Sequence, residues 1–420
     1  MKATSLASST HLSGTSKPTF LDGVAKNAIL GRLDQLSVGE LILKDGKKAR
    51  YFGPGGVGAL RATITVRDPR FYSEIAFGGS IGGGEAYMHG YWQCDDLVAL
   101  VRLLLQNREV LDDMEGGLAR LAAPVQKLFH WINRNTREGA RRNIAAHYDL
   151  GNDFFALWLD ETMMYSAAVY PSAESSLHEA QVHRLERICQ KLDLQPGDHV
   201  VEIGTGWGGF ALHAAQNYGC RVTTTTISSE QYRKARQRIV DAGLHDRVKV
   251  LKKDFRDLEG QFDKLVSIEM IEAIDHDLFD TFFQKCSDLL RHDGDMLIQA
   301  ITIADQRYAE YRKSVDFIQR YIFPGSGLPS SAVMTDAVAR KTDMRLLDLE
   351  DIGLHYATTL NDWRKNFTAR LEDVRRQGYP ESFIRMWEYY LCYCEGAFLE
   401  RAISDVQILF SKPGSRLKQV

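Results

Sequence analysis

The stretch Val200-Val201-Glu202-Ile203-Gly204-Thr205-Gly206-Trp207-Gly208-Gly209-Phe210 decides the fold. Residues 200–203 read as a buried strand that turns sharply on glycines and enters a helix. Glycines at 204, 206 and 208 carry no Cβ, so a ligand can approach the backbone closely. The following helix offers unpaired N–H groups at its start. Glu202 closes the strand with a negative charge, where a phosphate cradle would want a lysine or no charge at all. The loop therefore suits a ligand with a cationic centre and hydroxyls, such as S-adenosylmethionine (SAM).

Working outward, helix and strand alternate from about residue 180. Helical patterns cover 179–192, 208–218, 229–242 and 277–290, and strand patterns cover 199–203, 221–227, 248–252, 264–268 and 295–300. This alternation predicts a parallel sheet covered by helices on both faces. Ligands of such sheets bind at the carboxyl ends of the strands. Before this region, residues 25–92 carry short alternating runs with turns at Asp45-Gly46 and Gly53-Pro54-Gly55-Gly56, which predict a small strand-rich unit. An amphipathic helix is expected near 96–106. The domain plan is a disordered tail over 1–22, a small N-terminal domain over 23–108, a basic helical connector over 109–140 and a catalytic domain over 141–415. Arg134, Arg137, Arg141 and Arg142 in and just after the connector read either as a solvated face or as a contact for lipid phosphate.

The chain has 420 residues, 44% of them apolar, enough for two domains with full cores. A net charge of −3 argues against a dedicated nucleic-acid binder. Six scattered cysteines show no zinc spacing and suit a reducing cytosol. No run reaches the roughly 20 apolar residues a membrane span needs, and the Ser/Thr-rich start lacks an apolar core, so any membrane contact is expected to be peripheral.

The loop favours SAM over a dinucleotide or a plain structural turn. A dinucleotide loop wants its third glycine one residue later and an acid after the second strand, where this chain has threonines at 223–226. Thr226 and Gln231 are then the nearest candidates for the ribose hydroxyls, with Gln231 one turn into a helix capped by Ser228. Asp254, with Phe255 beside it, follows the third strand on the adenine side. Each of these also has a plain structural reading as a cap or a solvated face.

The chain resembles the cyclopropane-fatty-acid synthase family of SAM-dependent methyltransferases. The motifs that carry the resemblance are Ala146-His147-Tyr148-Asp149-Leu150-Gly151-Asn152-Asp153-Phe154-Phe155, Met164-Tyr165-Ser166, the loop over 202–210, Ser267-Ile268-Glu269-Met270-Ile271-Glu272, Phe323-Pro324-Gly325 with Leu328-Pro329-Ser330, and Tyr356-Ala357-Thr358-Thr359-Leu360. Gly84-Glu85-Ala86-Tyr87 and Gly90-Tyr91-Trp92 also resemble the small N-terminal domain of bacterial members. The resemblance implies an α/β fold with a Rossmann-like class I methyltransferase sheet. It implies methyl transfer from SAM to a cis double bond of a membrane phospholipid acyl chain, in the cytoplasm at the inner face of the membrane. The implied partners are unsaturated phospholipids at a peripheral membrane surface; the sequence leaves the oligomeric state open, a homodimer being one expectation.

Carried over position by position, Tyr165 and Ser166 would line the methionine side of SAM, and Gly204, Gly206 and Trp207 would form its cradle. The family's base is a bound bicarbonate ion. Glu272 and Tyr356 would hydrogen-bond it, and Ile301 would add a backbone N–H. Two positions depart from the pattern. Ala167 stands for the usual cysteine, which offers mainly its backbone, and Gln299 stands for a histidine that helps hold the ion; glutamine cannot carry its charge. The product is therefore open between a cyclopropane and a methylene- or methyl-branched chain. A lipid-binding protein without catalysis is a further reading. Tyr170, Tyr308, Tyr311, Phe317, Tyr321 and Phe323 are candidates for an acyl channel, though the Phe317/Tyr321 pair reads equally as core. His147 and Tyr148 are expected to position the segment that covers SAM.

Overall fold

The computed structural model describes residues 19–116 and 150–417. These residues form two compact units, one holding 19–116 with Pro380–Tyr389 and the other holding the rest. Tail residues before 19, the connector from 117 onward with its arginines, and His147 and Tyr148 lie outside the described residues.

In the first unit, helix Phe20–Leu33 starts where the tail was expected to continue to residue 22. Thr19 caps it, accepting from the Asp22 N–H while the Asp22 carboxylate accepts in return. Four strands follow, β1 (Glu40–Asp45), β2 (Lys48–Phe52), β3 (Arg61–Val66) and β4 (Trp92–Cys94), in the order β2-β1-β3-β4. The expected turn at Asp45-Gly46 joins β1 to β2. The unit is not strand-rich throughout, because the glycine-rich stretch before Trp92 is helix Arg70–Met88, broken at Gly79. Burial of Phe71, Tyr72, Ile81, Tyr87 and Met88 overrides the poor helix propensity of its glycines. The expected helix near 96 is Leu97–Gln106, capped by Asp96. Tyr87 and Trp92, both in the motif, receive residues from late in the chain. The Tyr87 hydroxyl donates to Glu388 at 2.7 Å, and the Arg385 guanidinium lies 3.9 Å over the Tyr87 ring and donates to the Trp92 carbonyl at 2.8 Å.

The second unit is built on seven strands: β5 (His199–Ile203), β6 (Arg221–Thr225), β7 (Val248–Leu251), β8 (Phe262–Ile268), β9 (Leu290–Ile303), β10 (Arg345–Asp351) and β11 (Ile403–Ser411). Their order is β10-β11-β9-β8-β5-β6-β7. Strands β5 to β9 pair in parallel, and β11 runs antiparallel between β9 and β10. Side-chain alternation along the strands builds a core on each face. Val200, Val222, Val266 and Leu297 pack with Leu185, Ile188, Phe210 and Ala214. Val201, Ile203, Leu265, Met296 and Ile298 pack with Phe279, Phe282 and Phe283 on the other side.

The chain leaves β5 for β6 and β7 on one side, then returns to place β8 on the other. The crevice beyond the carboxyl ends of β5 and β8 is therefore the topological switch point, where ligands of open α/β sheets bind. The glycine loop follows β5, and Glu269 to Glu272 follow β8. Fold topology alone thus brings the two most telling motifs together.

Candidate active site

Glu202 sits in β5 opposite Thr224 of β6, fully buried. Its Oε2 has no hydrogen-bond partner, and neither has Oγ of the buried Ser166. Burial pushes the Glu202 carboxyl up to about 8, against the pull of the Thr224 hydroxyl and the Arg184 charge. After the strand, Gly204 (φ +105°), Gly206 (φ +53°) and Gly208 (φ +87°) take left-handed backbone that side chains resist. A Cβ on Gly206 would meet open space within 4 Å, as expected where a ligand lies against the backbone.

Trp207 is buried, contacts Phe155 at 5.1 Å between ring centroids and donates its indole N–H to Asn152 Oδ1 at 2.6 Å. Its ring is thus a fixed support, and its carbonyl accepts from Arg238 Nη1 at 2.8 Å. The same Arg238 atom reaches the Thr162 carbonyl at 3.0 Å and so ties the loop to the segment carrying Tyr165 and Ser166. Tyr165 lies among Phe155, Trp158, Phe323 and Trp363, with its hydroxyl 2.9 Å from that of Tyr390. Gln181 donates to the Ser166 carbonyl at 2.8 Å and accepts from Arg184. Neither Gln181, Arg184 nor Arg238 was singled out in the sequence, because each falls on a helix that reads as amphipathic surface.

The ribose and adenine candidates are more constrained. Thr226 donates to Gln231 Oε1 at 2.8 Å and both are buried, so the two ribose candidates lie side by side and bond to each other. Asp254 spends both carboxylate oxygens on Arg256, at 2.7 and 2.6 Å. Phe255 packs its ring into the core 5.4 Å from Phe282. Arg256 thus fixes the Asp254 carboxylate, each oxygen of which can accept more than one hydrogen bond. Phe317 and Tyr321 meet at 5.2 Å between ring centroids with their planes tilted by 38°, and Phe317 is buried; Tyr170 donates to Asp362, and Tyr308 pairs with His276.

At the end of β8 the donors expected to hold an ion converge on a residue not singled out for the site. Glu269 Oε1 accepts from the Ala167 N–H at 2.7 Å and from Gln299 Nε2 at 2.8 Å, and Glu269 Oε2 accepts from the Tyr356 hydroxyl at 3.0 Å. The Ile301 N–H donates to Glu272 Oε1 at 2.5 Å, while Glu272 Oε2 is buried without a partner. Glu269 holds φ at +46°, a left-handed conformation costing a non-glycine residue of order 1–3 kcal/mol unless its surroundings impose it. Gln299 also reaches Asp405 of β11 at 3.2 Å and accepts from Gln407 at 3.1 Å. Arg184, wholly buried with Nη1 unpartnered, supplies the nearby positive charge; burial pulls it down to about 10, so it stays a cation at neutral pH. Glu272 is pushed up to about 8 by burial and by Glu269. Burial and Glu269 likewise hold the Tyr356 phenol well above its usual range, so it remains a donor.

SAM fits the β5 side, where Glu202 and Ser166 present unpartnered buried oxygens and Gly206 leaves room at the backbone. Bicarbonate does not fit the β8 side. The Ala167, Gln299 and Tyr356 donors are engaged by Glu269, the Ile301 donor by Glu272, and two carboxyl groups stand where an anion would enter.

A parallel sheet with a glycine cradle and an acidic strand end at its switch point defines a class I SAM-dependent methyltransferase. The model of the mycolic acid cyclopropane synthetase family matches residues 135–408, and the chain belongs to that family. It is similar to the tuberculostearic acid methyltransferase of Mycobacterium tuberculosis, at 39% identity over 76% of each chain. It is also similar to the cyclopropane-fatty-acyl-phospholipid synthase of Escherichia coli, at 37% identity over 84% of this chain and 89% of the relative. Among solved structures, the mycolic acid cyclopropane synthase CmaA1 complexed with SAH and CTAB superposes with a TM-score of 0.61 at 29% identity, covering 65% of this chain and 98% of the other. The chain is thus a SAM-dependent methyltransferase of the cyclopropane synthase type.

Proposed function

We propose that the protein transfers the methyl group of SAM to the cis double bond of an unsaturated phospholipid acyl chain and closes a cyclopropane ring. The observation that carries this reading is the pairing of Glu269 and Glu272 with an aromatic wall of Tyr165, Phe323, Tyr356 and Trp363 beside the SAM cradle. An alkene is a weak nucleophile and leaves a carbocation on the neighbouring carbon after methylation. Carboxylates and aromatic faces stabilise such a cation. SAM supplies the electrophilic methyl group; Glu202, Ser166 and the glycine loop hold it against the crevice so that the alkene meets it in line. The new methyl group then loses a proton, and the C–H electron pair closes the ring. No helix among the described residues is long and apolar enough to cross a membrane, so the acyl chain is reached from a membrane surface, on the cytoplasmic side in this reading.

A second product, a methylene- or methyl-branched chain, is favoured by Gln299 in place of a histidine and by the relative named as a tuberculostearic acid methyltransferase. Expression in a host lacking its own synthase, followed by gas chromatography–mass spectrometry of total fatty acids, separates the two. A gain of one methylene unit with cyclopropane fragmentation supports the first. A product that hydrogenation readily saturates to a methyl branch supports the second, and no new acid despite SAM binding sinks both. Glu272→Gln keeps an acceptor for Ile301 but loses a carboxyl group that can ionise as the cation forms beside it. Product is expected to fall about 100-fold or more while SAM still binds; wild-type turnover in E272Q would remove Glu272 from the mechanism.

A further inference from the structure

We propose that Glu269 supplies, from its own side chain, the base that the family takes from bound bicarbonate, so that ring closure in this chain needs no exogenous anion. The inference rests on the reaction proposed above and goes beyond it in naming the proton acceptor.

Three lines of geometry support it. First, a carboxylate presents the same pair of acceptor oxygens as bicarbonate, and here that pair takes the donors assigned to the ion. Ala167 N–H and Gln299 Nε2 meet one oxygen and the Tyr356 hydroxyl meets the other. Second, Glu269 lies beside the donor side of the crevice. Ala167 directly follows Tyr165 and Ser166, and a Cβ on Gly204 would meet the Met270 side chain at 3.1 Å. Glu269 as a residue is half-buried, with its carboxyl group turned into the buried cluster beside the crevice. Third, its environment favours one ionised group. Asp405, buried behind it, is held well above its ordinary range by burial and by Glu269. Glu269 is raised by burial but pulled back by the Asp405 and Ala167 hydrogen bonds and by the charge of Arg184. The charge of this pair therefore sits on Glu269 and the proton on Asp405. Glu272, Tyr356, Gln299 and Arg184 are the other charged or polar groups that face it, and of these Arg184 alone is a cation. Holding a glutamate at φ +46° is the backbone strain often stored at functional positions.

In the step itself, the C–H bond of the transferred methyl breaks. Its electron pair forms the third carbon–carbon bond at the cationic carbon, and its proton moves to a Glu269 oxygen and later to solvent. Nothing is oxidised or reduced.

The full chain is assayed with SAM and vesicles of a cis-unsaturated phospholipid, in buffer stripped of carbon dioxide and in buffer with added bicarbonate. Wild-type turnover is expected to be the same in both. Glu269→Gly suits the left-handed backbone and frees the three donors. It should lose about 100-fold or more in stripped buffer and regain activity with bicarbonate or acetate. Glu269→Gln keeps the shape without the basicity and should stay slow in both. A wild type that stalls without bicarbonate, or an E269Q enzyme at the wild-type rate, overturns the proposal. Carbon-13-labelled bicarbonate gives a readout separate from turnover: its resonance should broaden with the E269G protein and not with the wild type, and broadening with the wild type overturns the inference. If the wild type methylates no acyl chain, the reaction assigned above fails, and the labelled-bicarbonate contrast still decides which anion fills the site.

Discussion

The carboxyl ends of β5 and β8 are neighbours in one sheet, yet they are finished in opposite ways. Beyond β5, Glu202 and Ser166 hold buried oxygens with no partner, and the backbone at Gly206 faces open space. Beyond β8, the donors of Ala167, Gln299 and Tyr356 are already satisfied by a carboxylate of the chain itself. A buried polar atom without a partner costs free energy until something pairs with it. The first end is therefore incomplete without its ligand, whereas at the second those three donors are filled before substrate arrives, although Glu272 Oε2 beside them stays without a partner. One end is a socket for a cofactor that comes and goes; the other is a fixed part of the machinery.

Tyr356→Phe is the most damaging way to test that division. It removes the hydroxyl that donates to Glu269 and leaves the ring stacked on Phe398 at 4.5 Å. A hydrogen bond to a charged group is worth about 1.5–3 kcal/mol, so turnover is expected to fall by roughly 10- to 150-fold. SAM affinity, measured by calorimetry, should not change. A loss of SAM affinity instead would place Tyr356 on the β5 side and erase the distinction.

The two ends also differ in how far the sequence reveals them. The β5 end is legible because its signal is local: four residues of strand, then glycines, then a helix. Thr226 and Gln231 lie five residues apart around the Ser228 cap, and that local spacing lets them hydrogen-bond to each other. The β8 end is assembled from distant pieces. Asp405 faces Ile301 and Gln407 faces Gln299 through the antiparallel register of β11 on β9, and no periodicity in the sequence announces that pairing. In Ser267-Ile268-Glu269-Met270-Ile271-Glu272 the motif directs attention to the last glutamate, while the first takes the donors. A second carboxylate three residues from Glu272, among apolar neighbours, was the available signal. Asp254 shows the converse, since its ion-pair partner Arg256 is only two residues away, a local contact that spacing alone reveals. The glycines between 78 and 84 mislead for a related reason, because buried aromatic residues hold a helix that propensity would not.

A smaller effect is expected on the socket side. Glu202 has its carboxyl raised to about 8 in the free protein, above the ordinary 4.5. Between those values the folded chain holds a proton that the unfolded chain has lost, so this group's contribution to ligand-free stability falls as pH rises through 8. A cationic ligand favours the ionised form. SAM affinity should therefore rise from pH 6 towards 8 and level off above, with proton release on binding near pH 7, measurable by calorimetry in buffers of different ionisation enthalpy. Glu202→Gln should weaken binding by about 10-fold, on the scale of one charge-assisted hydrogen bond, and flatten the pH dependence. An unchanged pH profile in E202Q would show that another group carries the linkage.

The mildest test separates backbone conformation from ligand approach. Gly206 and Gly243 both hold left-handed backbone, at φ +53° and +69°, and a Cβ at either meets nothing within 4 Å. Gly243 ends the helix Ser229–Asp241, away from the loop after β5. Alanine at either position should cost about 1 kcal/mol of stability through the left-handed backbone alone, a fall of a few degrees in Tm. SAM binding should distinguish them. At Gly206 the new methyl group occupies the space in which the ligand meets the backbone, so G206A should lose SAM affinity while G243A keeps it. Equal affinities in the two variants would mean that the open space beside Gly206 is not where SAM lies, and the socket would have to be redrawn around Glu202 and Ser166 alone.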